Sequence, residues 1–379
     1  MDAEAIEGHG GESPLLVHGY KVFNAAALAF IGSYRRVVGF GNSSRPTSNA
    51  GAFMRTYRLL AICVALVSRF PQLQAQTASV PRDTFDLWMT LVSNAGRWGT
   101  KDSLGTLNFI TNPVRLRAVR GVQDGMVVSL ARPIVTGADI NAILPLSVRF
   151  LQPRSGDVHW FLDAPTLPMH GWAYTHMDAL SHAAFKGTLY NRIPDSVIDT
   201  VNGASKLGIQ VMTSGIVTRG VLIDIPWLRR VAYLDTNAVI TAADLIAWEQ
   251  RTGIPIEAGD AVLIRTGRGA RELAVGIWPI TAGVAGLHPN AASWLYDRRV
   301  AVLGSDASSE HYPSLVAGVS DPIHLLALVS MGMPLIDDLD LETLTAEATR
   351  RRRWTFLLMA SPLPVRGASG SLVNPLAVF

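Results

Sequence analysis

From Pro81 onward the apolar positions of this chain fall into two rhythms: short runs with strand character, and longer stretches with helical spacing. Met126-Val127-Val128-Ser129-Leu130 predicts a strand. Gly220-Val221-Leu222-Ile223-Asp224-Ile225 and Ala261-Val262-Leu263-Ile264-Arg265 are runs of the kind buried on both faces inside a sheet. Between them, Thr241-Ala242-Ala243-Asp244 has the form of a capping box, and the helix it opens is expected to end near Gly253. Asn112-Pro113 is expected to cap a helix running toward Gly121, with proline in its first position. Further helices are expected from Asn290 to Arg298, around His324 to Met331, and from Leu341 to Arg351. Each leads into an apolar strand, at Val300 to Leu303, Met333 to Ile336 and Trp354 to Leu358. Strands and helices alternate in the second half, while the stretch from 126 to 220 is rich in strands and turns. The pattern predicts an α/β fold in a single mixed β/α domain over 77–379, with no long linker or internal repeat.

The first 76 residues do not share this pattern. Arg55 and Arg58 precede the apolar run Leu59 to Val67, and polar Gln72-Leu73-Gln74-Ala75-Gln76 follows it. That is the layout of a secretory signal peptide over 54–76, and the run is too short to span a bilayer, which takes ~20 residues. Residues 1–53 then read as an upstream extension, disordered or assigned from a start codon too far upstream. A periplasmic or secreted mature protein is the expectation.

Charge follows the same division. The chain carries a formal net charge of +3. Residues 1–53 hold four acids and four bases, while 54–76 hold only Arg55, Arg58 and Arg69, so the remainder sums to zero. Nothing in this balance favours nucleic acid, and no membrane association is expected of the mature form. The run Arg350 to Arg353 suits the last turn of a helix. Cys63, the only cysteine, lies in the apolar run, so the folded part is expected to manage without disulfides.

Thr175-His176-Met177-Asp178-Ala179-Leu180-Ser181-His182 concentrates two imidazoles and a carboxylate in an apolar neighbourhood. In a strand, the period of two puts His176 and Asp178 on one face, as two ligands of one metal ion require. A polar surface strand would carry a lone His-x-Asp equally well; the second imidazole, His182, and the apolar flanks favour a site. An open catalytic metal site needs at least three protein ligands. His324 and Asp337 are the best distant candidates, bracketing one helix–strand unit, although a capping histidine and a solvated turn would look the same. His170 would lie ~20 Å from His176 along an extended strand, and contributes only if Gly171 bends the chain. His159, His288 and His311 read as structural. Asp306 follows a strand end, where α/β folds place functional groups. The glycine-rich turn Arg265 to Gly269 lacks the ending of a phosphate loop, and no Gly-x-Ser-x-Gly elbow is present.

The stretch Thr175 to His182 resembles the signature of the cyclase superfamily, which includes bacterial kynurenine formamidase and isatin hydrolase: His-x-Gly-Thr-His-x-Asp-x-Pro-x-His. Gly96-Arg97-Trp98-Gly99, Leu104 to Asn108, Leu189-Tyr190-Asn191, Gly304-Ser305-Asp306, Met331 to Asp337 and Gly370 to Phe379 are similar to the larger members. The resemblance covers about residues 85 to 379. It implies the swivelling β/β/α fold and a metal-dependent hydrolase that cleaves amide bonds of small aromatic or cyclic molecules, arylformamidase-like. A cyclase, dehydratase or lactone hydrolase on the same scaffold, or a metal-depleted binding protein, are the alternatives. By position, His176 and Asp178 would be metal ligands and His182 the proton shuttle. His324 and Asp337 would stand where the family has a histidine and a glutamate on its second metal. The family's first ligand histidine falls at Trp172, its glycine at Tyr174 and its proline at Leu180. One or two divalent ions, zinc or manganese, are implied, and these departures favour a single ion. Trp172 and Tyr174, on the ligand face of the strand, are expected to form an aromatic wall for a flat substrate or simply to pack. A homo-oligomer acting on a small molecule completes the expectation.

Overall fold

The computed structural model describes residues 79–134 and 136–379; the expected extension 1–53 and signal segment 54–76 lie outside them. At its centre is a nine-stranded mixed sheet. Its strands are β1 (Val127–Ser129), β2 (His176–Asp178), β3 (Ile216–Asp224), β4 (Ala261–Arg265), β5 (Val302–Ser305), β6 (Leu335–Asp337), β7 (Thr355–Ala360), β8 (Gly370–Leu372) and β9 (Leu376–Val378). They run in the order β1-β9-β7-β3-β4-β5-β6-β2-β8. The four in the middle, β3 to β6, are parallel, and antiparallel strands extend the sheet at both sides.

The near-continuous apolar runs follow from burial on both faces. On β3, Val221 and Ile223 enter one core layer and Leu222 the other; on β4, Val262 and Ile264 oppose Ala261 and Leu263. Helices α1 (Arg82–Leu91), α2 (Asn112–Arg120), α3 (Ile225–Arg229), α4 (Ala242–Thr252), α5 (Arg268–Val275), α6 (Ala291–Asp297) and α7 (Pro322–His324) come in that order. The last runs directly into a π-helical stretch, Leu325–Met331, and α8 (Glu342–Arg351) closes the series. The capping box forms as expected: Thr241 and Asp244 satisfy each other's end of α4, and Gly253 ends it at φ +68°. Thr111, one residue earlier than expected, is the cap of α2, and Asn112 lies inside its first turn. The expected α/β domain is present, matching its strand–helix alternation. Among the described residues, no helix is long and apolar enough to cross a membrane.

Asp306, at the carboxyl end of β5, takes a structural part. Its carboxylate accepts from Thr266 N (2.8 Å), Thr266 Oγ1 (2.8 Å), Gly267 N (2.8 Å) and Arg268 N (3.1 Å). It therefore fills the glycine-rich turn and caps the positive end of α5, where a carboxylate is most stabilising. Replacing Asp306 with Ala leaves three backbone donors buried without a partner. The expected loss is about 3 kcal/mol, or roughly 5–10 °C in melting temperature by calorimetry. A shift under about 1 °C would show that the cap is not needed.

Candidate metal centre

The sheet's register brings the site together. β2 pairs with β6 so that His176 lies opposite Asp337 and Asp178 opposite Leu335. On its other side β2 pairs with β8, placing Gly370 beside Asp178. The last residue of β6 thus meets the first of β2 at the carboxyl end of the parallel strands, where open α/β sheets present their ligands. His324 arrives from the end of α7, immediately before the π-helical stretch, a local irregularity common at functional sites.

Each of two imidazoles has one nitrogen tied back. His176 Nδ1 donates to Tyr174 O (2.8 Å), and His324 Nδ1 pairs with Glu310 Oε2 (2.6 Å). The Nε2 lone pairs of both rings are left to point inward. His324 Nε2 lies 3.3 Å from Asp178 Oδ2 and 3.2 Å from Asp337 Oδ2, and His176 Nε2 lies 3.5 Å from Asp178 Oδ1. Ligand atoms held ~2.1 Å from one ion are ~3.0–3.4 Å apart, so this spacing fits a shared cation.

The electrostatics fit one as well. Asp178, Glu310, Asp337 and Asp338 are all buried, and Arg268 is the buried guanidinium that reaches them, through Asp338. Asp178 Oδ2 and Glu310 Oε1 have no hydrogen-bond donor. Burial opposes the charge on Asp178, but the imidazoles of His182, His170, His324 and His176 hold its carboxyl well below the usual range. Burial likewise opposes a charge on His324, and Glu310, Asp178 and Asp337 outweigh it, raising that imidazole well above its ordinary value. A pocket that draws a proton so strongly onto a buried ring would hold a divalent cation. The residues present therefore suit a metal ion.

His182 stands beside these groups. Its ring stacks on His170 at 3.9 Å between centroids, with planes 15° apart. Burial above all, then the neighbouring His170, His324 and His176, push its imidazole down to about 4 against the pull of Asp178. It is neutral at pH 7. His170, His176, His182, His324 and Asp337 line a cavity of about 530 Å³, together with Trp172, Phe185, Ile143 and Leu325. That is ample for a small molecule with one or two rings.

A family model described as "Putative cyclase" matches residues 114–310, more than half of the chain. A crystal structure described as a novel cyclase superposes with a TM-score of 0.68 at 28% identity, covering 77% of this chain and 99% of that one. Isatin hydrolase A from Ralstonia solanacearum is similar at 22% identity over 70% of this chain and 97% of its own, with a TM-score of 0.48. A protein from Bacillus stearothermophilus described as a predicted metal-dependent hydrolase shares 16% identity over 67% and 98%, with a TM-score of 0.43. A search of curated proteins returns no match.

The chain belongs to the cyclase family.

Within this cyclase, the structure gathers His176, Asp178, His324, Asp337 and His182 together, with His176, His182, His324 and Asp337 lining the cavity and Asp178 buried behind them. It adds His170, which the extended-strand distance had set aside. The chain is not extended there: Gly171 adopts φ +126°, and His170 folds back to 5.4 Å from the His176 ring. His170 Nδ1 contacts Asp178 Oδ1 at 2.9 Å, and its Nε2 lies 3.1 Å from Ser369 Oγ. A Cβ on Gly370 would sit 2.4 Å from the His170 ring, so only glycine leaves room for it. His170 thus joins the cluster through Asp178, two residues before Trp172.

The aromatic wall needs correcting. β2 begins only at His176, so Trp172 and Tyr174 share no strand face. Trp172 lines the cavity, whereas the Tyr174 ring is buried and its hydroxyl accepts from Leu146 N at 3.1 Å. Phe185 lines the cavity as well. Glu310 and Ser309, from the loop after β5, were not legible as site residues; Ser309 Oγ donates to Asp337 Oδ1 at 2.7 Å. Glu310 orients His324, and such outer carboxylates contribute ~10–100-fold to metal affinity. Glu310→Gln is therefore expected to weaken zinc binding by roughly that factor in competition titrations. An unchanged affinity would remove Glu310 from the account.

Proposed function

We propose that this cyclase-family protein is a metal-dependent hydrolase that cleaves the C–N bond of a small aromatic or cyclic amide, as an arylformamidase does. The observation that carries the reading is the convergence of His176 Nε2, His324 Nε2 and the Asp178 and Asp337 carboxylates beside a cavity that His182 also lines. These four residues would hold zinc or manganese, which when bound lowers the pKa of water toward ~7 and polarises a carbonyl oxygen.

The protein's own groups do the rest. His182, which lines the cavity beside the cluster, accepts the proton of the attacking water and returns it to the leaving nitrogen. Stacking on His170 fixes the plane of its ring. Trp172 and Phe185 line the same cavity and offer apolar surface to a flat ring. Asp178 keeps its charge because four imidazoles surround it. Export to the periplasm or beyond is part of the same proposal and rests on the sequence layout of 54–76.

Mass spectrometry of the purified full chain is expected to find a near-stoichiometric divalent metal that is lost in Asp178→Ala. A panel of formyl-anilides, cyclic imides and lactones then tests the chemistry. Hydrolysis of an amide by the metal-loaded protein supports the proposal; turnover of lactones alone overturns the C–N assignment. His182→Ala should keep its metal and lose ~10²–10⁴-fold in kcat. If neither zinc nor manganese binds after reconstitution, the hydrolase reading fails.

A further inference from the structure

The cavity beside the metal cluster has a smaller neighbour along the same two elements. Arg82, at the start of α1, and Leu325, at the start of the π-helical stretch, line the first cavity. Farther along both elements, Met89 and Ser93 on one side and Val329 and Ser330 on the other line a second, of about 150 Å³. Arg82 and Met89 are ~10 Å apart along the helix axis at 1.5 Å per residue. The second cavity ends where the two elements are tied together: Asn94 N donates to Ser330 O and Asn94 Nδ2 to Met331 O, each at 2.9 Å. Among the described residues, Phe185 alone lines both cavities.

That ring is held from several sides. Phe185 N donates to Thr188 O (2.8 Å) and accepts Thr188 N in return on its own carbonyl (3.1 Å). The turn between them has positive φ at both central residues, Lys186 at +50° and Gly187 at +77°, the form that closes a tight two-residue hairpin. The backbone that carries the ring is therefore fixed. Phe85 meets the ring edge-on at 5.8 Å between centroids, and the charged ends of Arg82 and Lys186 each lie 5.2 Å from its centre. Asp86 holds both cations, Arg82 Nε at 3.1 Å and Lys186 Nζ at 2.8 Å.

We propose that Phe185 is a partition that sets the length of substrate the first cavity accepts, and that the second cavity is a blind side pocket for an uncharged ring substituent. The idea deepens the hydrolase reading and rests on it. Met89, Leu189 and Val329 give the side pocket apolar walls, and a space of about 150 Å³ takes a group the size of benzene. With Phe185 in place, an aromatic amide fits when its ring carries nothing long on the side away from the scissile bond. With the ring removed, a short alkyl chain in that position passes into the side pocket and is buried there.

Calorimetric titration of the zinc-loaded full chain with aniline and its 4-methyl to 4-butyl derivatives tests the partition. In the parent chain, affinity is expected to rise less than about tenfold across the series. Phe185→Ala should gain about fourfold per added methylene, on the order of 100-fold in all. Phe185→Leu, a milder change, should gain in the same direction, and both should keep the parent's metal content and circular dichroism. Refilling the side pocket with Val329→Phe in the Phe185→Ala background should abolish the gain. The same dependence on chain length in parent and variants, a gain that survives Val329→Phe, or no aniline binding to any of them overturns the proposal. The matching formyl-anilides separate the two readings: ligands sorted by length but never hydrolysed would sink the amide hydrolase and leave the partition standing.

Discussion

Everything in the site depends on keeping Asp178 charged where water cannot reach it. An unpaired buried carboxylate costs on the order of several kcal/mol, and this one shares its surroundings with Glu310, Asp337 and Asp338. The fold answers with imidazoles. His170, His176 and His182 from one segment and His324 from a distant one meet around that one carboxylate. β2 supplies His176 and Asp178, its pairing with β6 supplies Asp337, and its pairing with β8 supplies the glycine that lets His170 approach. Four buried acids and one guanidinium share this cluster with the imidazoles, a donor set that suits a cation.

Behind the ligands is a frame of buried polar groups. Arg268 bonds to Asp338, Glu272 and the Trp172 carbonyl (2.7 Å), holding the bent segment that carries His170. Thr175 Oγ1 donates to Asp338 O at 2.6 Å and accepts from Arg132 N at 2.9 Å. Burial first, then Asp337, push the Asp338 carboxyl up to about 6, against the pull of Arg268 and His176. These are the groups that keep His176 and His170 at fixed distances, and their contribution is geometric.

What could be read from the sequence was local. The double-faced apolar runs at 220–225 and 261–265, the capping box at Thr241 and the helices before β5, β6 and β7 follow from spacing a few residues long, and the structure has them where that spacing puts them. His176 and Asp178 share a face for the same reason. The rest depended on contacts distant in sequence. His170 was discounted because an extended chain would carry it away, and a single glycine dihedral reverses that. Glu310 has no motif around it and matters only because His324, fourteen residues on, folds back to it. Tyr174 was placed by assuming that the strand reaches back past His176, and the turn before β2 removes the assumption. The antiparallel pair Ser147–Leu151 and Leu162–Thr166 was legible only as a strand- and turn-rich stretch, since its alternation is blurred by apolar residues on both faces.

The central claim is that His176, Asp178, His324 and Asp337 enclose one cation. Anomalous X-ray diffraction from crystals of the metal-loaded protein, collected on both sides of the zinc or manganese absorption edge, tests it most directly. The account predicts a single strong peak among the two Nε2 atoms and the two carboxylates, at ~2.1 Å from each nitrogen. A peak lying instead between His170 and His182, or no peak in protein shown to carry metal in solution, would contradict it.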